Sequence, residues 1–267
     1  MQYVFYTLMF VVGACMGSFL CCQARRLHER EEKHKKLGSR SVCMSCKYQL
    51  KWYDNIPIVS WLLLRGRCRK CHKKIGIAEI LSELAVVAAF TLISLSFNVE
   101  TATLMPWLTF ISMLLLTLSL SFLGIYDGLY GELPCFCLTI SLICAIIYSI
   151  CAGLSSYFLF GFTPEIITLP LLSALFFGGI YLVLYFFSKG KWVGDGDWLL
   201  AGIIGLALGS IWLSFFTLFI ANLSACLIML PAVVKNKNTK IYFGPFLVLA
   251  FVLVFTFAEQ LLSLVTF

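Results

Sequence analysis

Charge is what this sequence has least of. Only 12% of its 267 residues are Asp, Glu, Lys or Arg, against about a quarter in a soluble domain, and that shortage excludes an ordinary water-soluble globule. Histidine is nearly as scarce: all three lie in the first polar segment, and no His-Glu-x-x-His sequence occurs, which argues against a metalloprotease of that type. No convincing internal repeat is present, so a transporter built from duplicated halves around a mid-membrane site is disfavoured. The net charge of +7 comes from 20 Lys and Arg confined to residues 25–74, Lys189 with Lys191, and residues 235–240. Such clusters are topological signals of cytosolic loops, and the distribution argues against nucleic-acid binding.

What the chain has in abundance is apolar sequence, 61% of it, gathered into runs long enough to span a bilayer. The runs cover residues 3–22, 75–97, 104–126, 133–153, 166–187, 198–234 and 241–265. The first has no basic segment before it and is followed by arginines, so it reads as a retained span and not as a cleaved signal peptide. The run at 198–234 has 37 residues. At about 1.5 Å per residue it is too long for one crossing of a roughly 30 Å core, and it divides into two near residues 209–214. The expectation is an all-α polytopic membrane protein of about eight transmembrane helices, with a small cytosolic zinc-binding domain between helices one and two. The implied divisions are 1–23, a first transmembrane helix; 24–74, a four-cysteine domain; and 75–267, a membrane domain of about seven helices. With eight spans the three basic clusters fall on one side, in the loops after spans one, five and seven. That side is expected to be cytosolic and both termini external.

The chain has 12 cysteines, four of them in the first polar segment. Cys43-x-x-Cys46 and Cys68-x-x-Cys71 supply four thiolates at the spacing of two zinc knuckles. Four protein ligands leave no open position, so such a site is structural. His72 could be a spare ligand or a solvated loop residue. Between the pairs, Trp52 to Pro57 reads as interfacial aromatic sequence with turn chemistry at Asp54.

Two acids are placed alike. Asp127 and Asp197 each adjoin a glycine and stand at the edge of an apolar run, Asp197 within Gly194-Asp195-Gly196-Asp197. By the span count both lie at cytosolic helix ends. Two such carboxylates sharing a proton could hydrolyse a peptide bond, one activating water and the other polarising the carbonyl. Alternatively each acid caps a helix or solvates a loop, and spacing alone leaves the two readings open. Asp195 reads as a solvated loop charge and Glu132 as decoration at a helix start.

Taken together the motifs resemble the type IV prepilin peptidases, membrane aspartyl proteases with a Gly-x-Gly-Asp signature. The similarity rests on Gly17-Ser18-Phe19 followed by Arg26, the two cysteine pairs with Trp52 to Pro57 and Ser60-Trp61 between them, Glu83-Leu84, and Asp127 preceding Leu133-Pro134. It continues through Gly194-x-Gly196-Asp197, Leu200-Ala201, Gly205 and Gly209. Three positions depart from the pattern: Cys21 stands for a common Asn, Cys135 for an Asp, and Leu199 for a Lys. The resemblance implies that Asp127 and Asp197 are the catalytic pair. It also implies prepilins or pseudopilins of pilus, secretion or competence systems as substrates, cut on the cytosolic side after a glycine, and residence in the inner (cytoplasmic) membrane. Many relatives also N-methylate the new terminus with S-adenosylmethionine. The non-enzymatic alternative is a zinc-knuckle membrane protein that transports a solute or scaffolds an assembly.

Overall fold

The computed structural model describes all residues except 34–41, 44, 75, 99–102, 191–192, 236–241 and 266–267. The chain is almost wholly helical: α1 (Gln2–Lys33), α2 (Val59–Leu63), α3 (Ile77–Leu95), α4 (Leu104–Tyr130), α5 (Cys135–Phe160), α6 (Glu165–Ser188), α7 (Asp197–Leu208), α8 (Ile211–Lys235), α9 (Gly244–Thr256) and α10 (Ala258–Ser263). Only two isolated β-bridges occur among the described residues. This is an all-α, multi-pass membrane protein. Backbone polar groups in a bilayer must be satisfied within their own segment, and helices do that.

Among the described residues six helices are long and apolar enough to cross a membrane: the 29 residues from Gln2 to Arg30, α3 to α6, and Ile211–Met229 of α8. The other two apolar runs form shorter helices, α7 with 12 residues and α9 with 13. At about 1.5 Å per residue these reach only about 20 Å, so the expected eight spans become six full-length helices and two short ones. The causes are local. Gly209 takes a left-handed conformation (φ 62°) and its N–H caps Gly205 O, ending α7 where the sequence suggested a break. Phe257, at φ −104° and ψ 24°, separates α9 from α10.

The chain forms two compact units, Met1–Ser94 and Leu95–Phe267. In the first, α1 meets α3 at Gly13 and Gly17, where a Cβ at Gly17 would lie 2.7 Å from Glu83 Cα. Small residues let two helix backbones approach this closely in lipid. An ion pair of 2.6 Å between Arg25 and Glu79 ties the same two helices together.

In the second unit Leu116, Leu120 and Leu123 form one stripe of α4 with no exposed surface, the i, i+4, i+7 pattern of a helix face turned to its neighbours. α7 lies closest to α6: a Cβ at Gly178 would be 3.1 Å from Gly202 Cα, and one at Gly205 would be 2.6 Å from Ser173 O. At the far end of that contact, Ser173 Oγ and Ser214 Oγ are 2.7 Å apart, joining α6 to α8.

This packing predicts a contrast between two alanine substitutions. Gly205→Ala drives a methyl into backbone and should cost about 1–3 kcal/mol, the usual penalty of overpacking. Gly179→Ala, which meets nothing within 4 Å, should leave stability unchanged or raised. Thermal unfolding of the two variants in one detergent measures the difference.

Candidate active site and cysteine cluster

The two Cys-x-x-Cys segments fold alike. Cys43 N–H donates to Tyr48 O (2.8 Å) and Lys47 N–H to Cys43 O (2.9 Å); in the second segment Cys68 N–H donates to Lys73 O (2.9 Å) and His72 N–H to Cys68 O (2.9 Å). The fifth residue of each, Lys47 (φ 57°) and His72 (φ 55°), turns left-handed to close the loop. His72 therefore serves the turn and is exposed. A β-bridge seals each loop, Val42 with Gln49 and Arg67 with Lys74.

The sulfurs of Cys43, Cys46, Cys68 and Cys71 all lie within 4.8 Å of one another, with Cys43–Cys71 and Cys46–Cys68 each at 3.9 Å. A tetrahedral ion bound at about 2.3 Å would hold its sulfurs about 3.8 Å apart, so these four residues fit a metal. The thiols of Cys43 and Cys71 are shifted in opposite directions. The amides of Cys46 and then Ser45 help bring Cys43 down to about 6. Cys71 is pushed up to about 11, the pull of the Lys73 N–H being outweighed by desolvation and the three surrounding sulfurs.

Asp54 braces this region. Its Oδ1 accepts from Arg69 Nε at 2.8 Å and its Oδ2 from Lys51 N–H at 3.2 Å. It thus joins the single 3-10 turn at Trp52–Asn55 to the second cysteine loop. Glu83, on α3, is also buried and accepts the Ile58 N–H at 2.7 Å. That contact anchors the start of α2, where Ile58 itself is left-handed (φ 61°). The spacing gave no hint of either arrangement.

In the second unit Asp127 lies in the last turn of α4 and Asp197 is the first residue of α7. Each side chain is only 6% exposed. Each carboxylate is held by one backbone amide of a glycine: Gly244 N–H donates to Asp127 Oδ2 at 2.8 Å, and Gly194 N–H donates to Asp197 Oδ2 at 2.8 Å. A side chain at Gly244 would put its Cβ 2.8 Å from Asp127 Oδ2, so only glycine lets that amide reach.

The segments carrying the acids also touch. Gly196 lies against Leu133, whose Cβ would be 2.8 Å from an added Cβ, and Leu133 is the third residue after α4. Asp127 feels the Asp197 charge. Asp195 and Glu132 are exposed, as are Cys135 and Gly194. Gly244, at the start of α9 and 117 residues from Asp127 in sequence, is the participant that the motif reading missed. Its only local signal is a Gly-Pro pair opening an apolar run.

Residues 11–97 match the family model described as the bacterial peptidase A24 N-terminal domain. A prepilin leader peptidase/N-methyltransferase of Vibrio cholerae is 34% identical over 102 residues, 36% of this chain and 40% of the relative. One from Myxococcus xanthus is 41% identical over 81 residues, 30% of this chain and 23% of the relative. One from Legionella pneumophila is 25% identical over 258 residues, 91% of this chain and 82% of the relative. This chain is similar to the prepilin leader peptidases/N-methyltransferases. The matched stretches span less than half the length of the first two relatives, whereas the third similarity runs through both aspartates and all four cysteines of this chain. No solved structure matches.

The cysteine geometry predicts about one metal ion per chain on elemental analysis. Cys68→Ser should lose that ion and make the cysteine loops sensitive to protease. Cys135→Ser, remote from the cluster in sequence and exposed, should keep the ion.

Proposed function

We propose that this chain is a membrane aspartic endopeptidase that removes the leader of prepilins or pseudopilins, with Asp127 and Asp197 as its catalytic pair. The observation that carries this reading is the matched setting of the two acids: both buried, both at helix ends, each with a glycine N–H on Oδ2. A carboxylate at the edge of a hydrocarbon span is costly unless it has a partner or a task. One-sided anchoring fixes each group and leaves Oδ1 for substrate or water.

In the proposed reaction the pair carries one proton between two carboxylates. The ionised member takes a proton from water as the water oxygen attacks the scissile carbonyl carbon. The protonated member gives its proton to the carbonyl oxygen, forming a neutral gem-diol. Collapse breaks the C–N bond, a proton passes to the departing nitrogen, and a carboxylic acid and an amine leave. The shared proton is then back on the pair.

In this reading the protein resides in the inner membrane, with the basic loops and the active side facing the cytosol and both termini outside. Zinc is the proposed ion of Cys43, Cys46, Cys68 and Cys71, closing a structural domain in the 24–74 segment. The relatives are also named N-methyltransferases, and for this chain the corresponding second activity would be methylation of the new N-terminus with S-adenosylmethionine. The cavity of about 350 Å³ bounded by Thr103, Leu104, Met105, Pro106, Ser155 and Phe158 stands at the opposite end of α4 from Asp127 and holds no charged side chain. It does not fit that cofactor.

Asp127→Asn and Asp197→Asn should each lower cleavage of a co-expressed prepilin on the order of 10³-fold or more while the protein still accumulates in the membrane. Immunoblotting of precursor and mature pilin reads the result, and wild-type cleavage in both variants would refute the pair. Mass spectrometry of the mature pilin separates cleavage alone from cleavage with methyl transfer.

A further inference from the structure

Four buried side-chain polar atoms among the described residues have no hydrogen-bond partner: Trp61 Nε1, Thr91 Oγ1, Ser141 Oγ and the Tyr181 hydroxyl. Such atoms are rare in folded proteins and each asks for an explanation. Tyr181 is the one that stands beside the acids. It is 2% exposed and lies within electrostatic reach of Asp197. Asn222 is the other polar side chain in reach of the phenol; its Nδ2 donates to Leu218 O at 2.8 Å, which leaves its Oδ1 as the competing acceptor.

The register of α6 against α7 explains the position. Ser173 O meets Gly205, and further along α6 Gly178 meets Gly202 and Trp198 O, so the two helices run antiparallel. Residue 181, nearly one turn beyond 178, is therefore level with the first residue of α7, which is Asp197. The Tyr181 ring is fixed between Phe177, centroids 5.6 Å apart, and Phe243, centroids 5.7 Å apart. Phe243 directly precedes Gly244, the donor to Asp127. The phenol thus packs on the residue that precedes Gly244, one turn along α6 from the contact of Gly178 with Trp198 O, and its hydroxyl has no hydrogen-bond partner among the described residues.

We propose that the Tyr181 hydroxyl is a third catalytic group of this site, donating a hydrogen bond to the scissile carbonyl oxygen as that oxygen gains charge. The proposal rests on the aspartyl reading above. A neutral phenol keeps its proton next to a carboxylate and acts here only as a donor; no proton leaves it in the reaction. A preorganised donor in a water-poor site stabilises the developing charge more than the ground state. Substrate arrival would also satisfy an oxygen that otherwise has no partner.

The test uses purified full-length protein in detergent, with a synthetic peptide spanning a prepilin cleavage site. Tyr181→Phe deletes one oxygen and keeps the ring contacts. The expected result is a fall in kcat of about 10²-fold, the usual loss of one such donor, with KM nearly unchanged and a melting midpoint equal to or above that of the parent protein. The same variant should bind a peptide difluoroketone hydrate, which mimics the gem-diol, more weakly by a similar factor while substrate binding stays level. An unchanged kcat overturns the proposal, as does a loss accompanied by a lowered melting midpoint and equal weakening of both peptides, which marks a structural role. Asp127→Asn and Asp197→Asn run beside it. If they keep activity, the aspartyl reading itself fails; if they are inactive and Tyr181→Phe is not impaired, the tyrosine proposal alone falls.

Discussion

The structure turns on the cost of keeping a carboxylate at the end of an apolar helix. Burial there disfavours charge, and the helix interior offers no spare donors. The chain meets this cost with backbone. Gly194 and Gly244 each bring an N–H to one oxygen of a nearby aspartate, and a larger residue at Gly244 would collide with the group it serves. Charge-assisted bonds of this kind are about twice as strong as neutral ones. They also orient the acceptor, which a mobile lysine would do less well.

That constraint bears on where α7 and α9 begin. The backbone has to arrive at the acids with free amides, which the first turn of a helix and the turn before it supply. α9 begins at Gly244 and α7 at Asp197. Close contact between α6 and α7 through Gly178, Gly202 and Gly205 then fixes the depth at which Asp197 sits. Substitution along that seam would reach the site by moving α7, with no contact to a carboxylate.

In the first unit the same economy is met with side chains. Asp54 is buried and bonded to Arg69 and the Lys51 amide, while Glu83 secures Ile58 N–H. Four sulfurs within 4.8 Å of one another draw the two cysteine loops together. Small units of this size commonly depend on a bound metal for their fold.

Much of this was legible in the amino-acid order. Apolar run lengths located every long helix, the break at Gly209 followed from the excess length of residues 198–234, and the paired Cys-x-x-Cys spacing picked out the four sulfurs that converge. These are local properties: hydrophobic length, turn residues and ligand spacing act within a few tens of residues. What tertiary structure decided is of another kind. Helix packing brought Gly244 to Asp127 across 117 residues, aligned Tyr181 with the start of α7, and gave Glu83 the Ile58 amide. None of these pairs shares a sequence period, because their meeting depends on crossing distances that small residues set between helices and on which buried polar atoms remain to be satisfied once the helices have closed.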